Sequence, residues 1–372
     1  MRSKRTLVAG LAGLGLLIGV ATPAQGCARP QVGNDDLKTA ASVLMNSYDQ
    51  GTAYWPSSWW NSAVATTTLI DYTRQTGDQT WAADIDHTFE VNKASFPAGD
   101  RSSDPILGDF ESRAIDDTEW WGLAWIDAYD LTHDQKYLAE AETIANYVGG
   151  YWDTTTCGGG VWWNAEKTYK NSITNGLYVR LVASLHNRIP GDTAWLAKTT
   201  ESWNWFVSSG LINGDGLVND GLTDSCQNNG DTVWTYNQGL AIGAGVEVYR
   251  ATGDQSALTE AEHLADVGTS SSTLVDKGIL TESCDTLTAN CDDNQKQFKG
   301  IFMRYLGDLN SVVGGRYDSF IADQVNALQT LDKDGSGGYG VRWNGQGTTD
   351  FPNVRDWRTQ ASALEGLLSQ TD

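Results

Sequence analysis

The sequence predicts an all-α fold in which six helical hairpins close into an (α/α)6 barrel, a toroid formed by a single domain. Two observations predict it. A short phrase recurs: Thr76-Gly-Asp-Gln-Thr-Trp81, Thr132-His-Asp-Gln-Lys-Tyr137, Pro190-Gly-Asp-Thr-Ala-Trp195 and Thr252-Gly-Asp-Gln-Ser-Ala257, spaced by 56 to 62 residues. That period suits two helices and their connections. The connections also alternate in length: short turns at 76–78, 132–133, 189–191 and 252–253, long loops rich in Gly, Asp and Asn at 94–116, 150–170, 210–233, 270–293 and 331–354.

Taken in order, apolar periodicity predicts a first helix over 35–48. Helix 60–75 then turns through Gly77 and Asp78 into 79–93, and 117–131 turns through His133 into 134–149. Helix 171–188 turns through Gly191 and Asp192 into 192–209, and 234–251 turns through Gly253 and Asp254 into 254–269. Gly suits the left-handed residue that ends a helix and Asp the cap that starts the next, so each phrase reads as a tight hairpin. Helices over 294–310, 315–330 and 355–369 complete twelve, and no alternating strand run interrupts them. Pairing the last helix with the first closes the ring. All short turns then lie at one end and all long loops at the other, where a site on a rigid scaffold is expected.

Residues 1–26 are expected to be a secretory signal peptide: basic Arg2, Lys4 and Arg5, an uncharged apolar stretch from Leu7 to Ala21, then small residues. The mature domain is therefore 27–372, and the protein is expected to be secreted and monomeric. Cys27 follows the cleavage zone, but Gln25 fits a lipoprotein box poorly, so lipid anchoring there is the lesser reading. No later stretch is long and apolar enough for a membrane span. The 372 residues carry a formal charge of −22, which becomes −25 without the leader. So acidic a surface repels nucleic acid and anionic lipid and suits a neutral ligand. With 16 Trp and 14 Tyr against 7 Pro, stacking on sugar rings is one reading and core packing the other. Cys284 and Cys291 are close enough for a loop staple, and Cys157 with Cys226 could form a second bridge. Four histidines and no CxxC pair give no zinc site, Trp343 stands where a calcium loop beginning at Asp332 needs Glu, and no GxSxG elbow occurs. No metal or cofactor is implied.

The starts of the six long-loop helices share one kit: Trp59, Trp60 and Asn61; Asp116, Asp117, Trp120 and Trp121; Lys170, Asn171 and Asn175; Trp234, Tyr236 and Asn237; Phe298 and Lys299; Asp356, Trp357 and Arg358. Directed into one cleft, they would offer the rings and hydrogen-bonding groups a polyhydroxylated ligand needs. Asp116 with Glu119 also matches a capping box, and acids in a first turn suit the helix dipole. One capping acid would suffice, however. A second beside it, against tryptophans, resembles the two carboxyl groups of glycoside cleavage, one protonated and one ionised.

Asp116-Asp117-x-x-Trp120-Trp121-Gly-Leu-Ala-Trp125-Ile-Asp-Ala-Tyr-Asp130 resembles the catalytic helix of glycoside hydrolase family 76, the endo-α-1,6-mannanases. The likeness continues through Cys157-Gly-Gly-Gly-Val-Trp-Trp163-Asn, Tyr169-Lys-Asn-Ser-Ile-Thr-Asn175-Gly, Leu217-Val-Asn-Asp220-Gly, Trp234-Thr-Tyr-Asn-Gln-Gly239 and Phe298-Lys-Gly-Ile-Phe-Met-Arg304. It implies an (α/α)6 barrel and retaining hydrolysis inside α-1,6-mannan, with Asp116 the nucleophile and Asp117 the acid/base. It places Asp220, Tyr236 and the paired tryptophans Trp59, Trp60, Trp120 and Trp121 among sugar-binding residues, beside Asn175 and Asn237. Fungal relatives of the family are thought to transfer rather than hydrolyse, so a transglycosylase with the same residues is one alternative and a noncatalytic mannan binder another. Segments 27–58 and 270–293 resemble the family less.

Overall fold

The computed structural model describes residues 32–370, so the expected leader and Cys27 lie outside the described residues. Twelve α-helices occur among them: α1 (Asn34–Met45), α2 (Trp59–Thr76), α3 (Ala82–Asn92), α4 (Ile115–Thr132), α5 (Gln135–Gly149), α6 (Ser172–Arg188), α7 (Ala194–Ser208), α8 (Thr235–Thr252), α9 (Gln255–Gly268), α10 (Phe298–Val312), α11 (Asp318–Ala327) and α12 (Trp357–Leu368). The even-numbered helices form an inner ring. Each packs on the next, α12 returns to α2, and α1 docks on α12 to complete the sixth hairpin. The predicted toroid is the observed fold.

The turn chemistry follows the sequence. Gly77, His133 and Gly253 cap their helices in the left-handed region at φ 71°, 58° and 69°. Asp134 and Asp254 then accept the amide N–H two residues on, at 3.0 and 2.9 Å. An inner helix is surrounded on all sides; every residue of α2 from Trp59 to Thr73 is buried. Close approach between inner helices requires glycine. A Cβ on Gly239 would lie 2.4 Å from the Phe302 Cα, and one on Gly300 2.5 Å from the Ser362 Cα.

Three features differ from expectation. Two small hairpins occupy the long loops: β1 (Ile106–Gly108) with β2 (Glu111–Ser112), and β3 (Val275–Asp276) with β4 (Ile279–Leu280). At two or three residues each they are too short to alternate detectably. Before α10 the chain makes a 3-10 turn, Gln295–Gln297, and α11 passes into a π turn, Leu328–Asp332. Nor does Asp116 cap α4, whose N-cap is Ala114, without a side-chain bond. Glu119 lies wholly buried with neither carboxyl oxygen hydrogen-bonded, so the capping box is absent.

Candidate active site

The long-loop rim surrounds a cavity of about 900 Å3 lined by Asp116, Asp117, Trp120, Trp163, Tyr169 and Asp220, with Trp60, Trp234, Tyr236 and Phe298. Two disulfides brace the rim. Cys157–Cys226 ties the loop before α6 to the loop before α8, and Cys284–Cys291 closes the loop before α10. Backbone bonds fix Asp220 beside α6: Ser172 N–H donates to the Asp220 carbonyl at 2.8 Å and Leu222 N–H to the Lys170 carbonyl at 3.1 Å.

Asp116 and Asp117 open on the cavity from the first turn of α4 while the body of the protein encloses them. Burial therefore dominates, and it raises both carboxyl groups, Asp116 to about 7 and Asp117 well above its ordinary value. Their hydrogen bonding separates them. Asp116 Oδ1 accepts the Asp117 N–H at 3.1 Å and its Oδ2 accepts the Trp163 Nε1–H at 3.2 Å, both of which favour the ionised form. Asp117 receives no hydrogen bond from the described residues, and the neighbouring Asp116 charge raises it further. Burial and the Asp116 charge favour a proton on Asp117, while two hydrogen bonds favour the charge on Asp116. Those are the two protonation states that glycoside cleavage requires.

Opposite chemistry lines another part of the wall. Trp60 stacks on Trp120 at 5.7 Å between centroids, and Tyr236 on Phe298 at 3.7 Å, with Trp234 edge-on to Phe298 at 5.6 Å. Trp60 is held by a 2.8 Å bond from its Nε1 to Asn294 Oδ1. Asp220 Oδ2 accepts the Tyr169 hydroxyl proton at 2.7 Å, and Asn229 donates to the same hydroxyl at 2.8 Å. Burial raises Asp220, against the lowering effect of Tyr169.

Of the residues expected at the site, Asp116, Asp117, Trp60, Trp120, Asp220 and Tyr236 share the cavity. Trp59 borders it, although its ring is buried between Phe110 and Trp121, at 6.1 and 5.0 Å. Three are corrected. Trp121 is fully buried, stacking with Trp125 and packing tilted against Phe110, because neighbouring helix residues point about 100° apart. Asn175 is spent on the loop before α6, accepting from Val161 N–H at 2.7 Å and donating to the Val161 and Asn171 carbonyls. Asn237 is buried in α8 and does not line the cavity.

The shared kit at the helix starts is likewise only partly directed inward. Lys170 donates to the carbonyls of Asp153, Thr156 and Gly159, and Lys299 pairs with Asp285; both cations brace loops. Phe298 of the helix-start kit lines the cavity, and Trp163 and Tyr169 are cavity residues that the sequence reading did not select. Trp163 and Tyr169 stand in irregular segments with no periodicity to mark a face.

Comparison with known proteins accords with this geometry. The family described as glycosyl hydrolase family 76 matches residues 34–371. A mannan endo-1,6-alpha-mannosidase of Candida albicans is 27% identical, covering 89% of this chain and 78% of its own. One from Saccharomyces cerevisiae is 27% identical, covering 84% and 72%. Among solved structures, the α-1,6-mannanase of a Salegentibacter species superposes with a TM-score of 0.76 at 24% identity, covering 91% of this chain and 98% of that one. A variant of that enzyme, inactive through replacement of two adjacent aspartates, was solved with α-1,6-mannotetrose; it gives 0.77 at 23% identity over the same shares.

Proposed function

The chain belongs to glycosyl hydrolase family 76, and from that premise we propose that it is a secreted, retaining endo-α-1,6-mannanase. The observation that carries the mechanism is the asymmetric solvation of adjacent acids: Asp116 accepts two hydrogen bonds and Asp117 none. Asp116, ionised, attacks the anomeric carbon to form a glycosyl ester. Asp117 gives its proton to the departing glycosidic oxygen, then takes one from the water that releases the sugar. Microscopic reversibility restores both groups. The Trp60–Trp120 and Tyr236–Phe298 pairs offer ring faces to the apolar C–H faces of mannose, and Asp220, oriented by Tyr169, accepts from a sugar hydroxyl. A cleft open along the rim suits attack within a chain rather than at its end. The two disulfides fit an oxidising, extracellular setting.

Digestion of linear α-1,6-mannan tests the reading. A spread of oligosaccharides from the earliest time points is expected, and release of mannose alone would contradict it. Asp116→Asn and Asp117→Asn should each cost roughly 10²–10⁴-fold in kcat while leaving the fold intact. Products lengthened onto an added acceptor, with little hydrolysis, would place transfer ahead of water.

A further inference from the structure

The loop before α4 brings a cation into the wall of the main cleft. Arg113 stands three residues ahead of Asp116 and lines the same cavity as both acids. Its backbone is fixed to the segment that carries Trp163: Ala165 N–H donates to the Arg113 carbonyl at 3.0 Å, and Ile115 N–H to the Trp163 carbonyl at 2.8 Å. The side chain is fixed as well. Its Nε donates to Glu166 Oε1 at 2.8 Å and its Nη1 to Asp104 Oδ2 at 3.2 Å. Asp104 sits in turn on a loop pinned by Arg101, which donates to Asn92 Oδ1 at 3.0 Å and to the Thr52 carbonyl at 3.1 Å.

That leaves Nη2, which donates no hydrogen bond among the described residues, on a side chain with 41% of its surface open to solvent. A guanidinium is a planar fork, and two of its three nitrogens are already held. Adding an acceptor at the third therefore costs little further side-chain entropy. Two carboxylates outweigh the one guanidinium, so no net positive charge draws an anion there. The acceptor this nitrogen suits is a neutral hydroxyl. Asp104 stands near enough for its charge to help keep the proton on Asp117. In the mechanism above Asp117 protonates the departing oxygen, so Arg113 flanks the side on which the leaving group lies.

We propose that Arg113 is a further specificity-determining residue of the cleft, its free Nη2–H donating to a ring hydroxyl of the sugar on the leaving-group side. The inference rests on the mannanase reading and adds the residue that selects a sugar as leaving group. In the reverse direction the same contact holds an acceptor sugar in competition with water.

The test measures kcat/KM on linear α-1,6-mannotetraose and on an aryl glycoside of α-1,6-mannobiose, whose phenol leaving group carries no sugar hydroxyl. Arg113→Lys keeps the charge beside Asp104 and Glu166 and lacks the third nitrogen. It should lose about tenfold on the tetrasaccharide and less than twofold on the aryl glycoside, with melting temperature and both limbs of the pH profile unmoved. With methyl α-mannoside added as acceptor, transfer relative to hydrolysis should fall by a similar factor, because water needs no such contact. No loss on the tetrasaccharide, or equal loss on both substrates, overturns the proposal. A shifted pH limb overturns it too, since Arg113 would then act through Asp117. A wild type that cuts neither mannotetraose nor linear mannan would instead overturn the mannanase reading itself.

Discussion

At the scale of single residues, the proposed mechanism turns on which carboxyl groups hold protons. Under the proposed mechanism Asp116 starts ionised and Asp117 protonated, so kcat/KM should follow a bell whose acid limb belongs to the pair and lies near the raised value of about 7 for Asp116. Trp163→Phe removes one donor that favours the Asp116 anion and should move that limb upward by about one pH unit. An unmoved limb would deny Trp163 its part. Glu119 gives a stability test. Burial raises it first and the Asp116 charge second, so the folded state keeps a proton that the unfolded chain releases above its ordinary value of 4.5. Stability from this source is complete below that pH and declines as pH rises. Glu119→Gln removes the dependence, so the variant should gain on the wild type in melting temperature from pH 4 to pH 8. A difference constant with pH would show Glu119 ionised in the fold. The acids were legible in the sequence as a pair. Which tryptophan faced them was not, because Trp120 and Trp121 share composition and differ only in the 100° between successive helix positions.

At the scale of elements, hairpins were legible wherever a helix end carried its own chemistry, as at Gly77, Asp134 and Asp254. Helix starts held from a distance were not. Thr235 opens α8 with its N–H donated to Glu282 Oε1 at 3.1 Å, from a loop 47 residues away. Glu282 thereby caps the helix that presents Tyr236, and Asp285 of the same disulfide-closed loop anchors Lys299 beside Phe298. Glu282→Ala should cost about 1–2 kcal/mol in stability, the usual loss for a cap. It should raise KM more than it lowers kcat, since it loosens a sugar platform and leaves the acids alone. Denaturant unfolding and steady-state kinetics check the two halves, and a fall in kcat with KM unchanged would contradict the platform role.

At the scale of the whole molecule, the ring was legible from the alternation of short and long connections, but what seals its far end was not. There, arginines from α6, α8 and α10 meet acids from α2, α4, α8 and α10. Arg304 joins Asp71 and Asp127, each at 2.7 Å, and Arg188 joins Asp130 and Glu247 at 2.6 and 2.9 Å. These residues are scattered singly over more than two hundred positions, with no local pattern to mark them as partners. Arg304→Met would leave Asp127 buried without a guanidinium and Asp71 with Arg74 alone, and should cost about 3–5 kcal/mol. An unchanged denaturation midpoint would show that the network contributes little to holding the ring. In the proposed mechanism the barrel's work is to present two acids side by side at its rim. The most direct test follows the first minutes of linear α-1,6-mannan cleavage by NMR. Retention through Asp116 requires the new reducing ends to appear first as the α-anomer and drift to equilibrium; a β-anomer appearing first would mean direct attack by water and would remove Asp116 as the nucleophile.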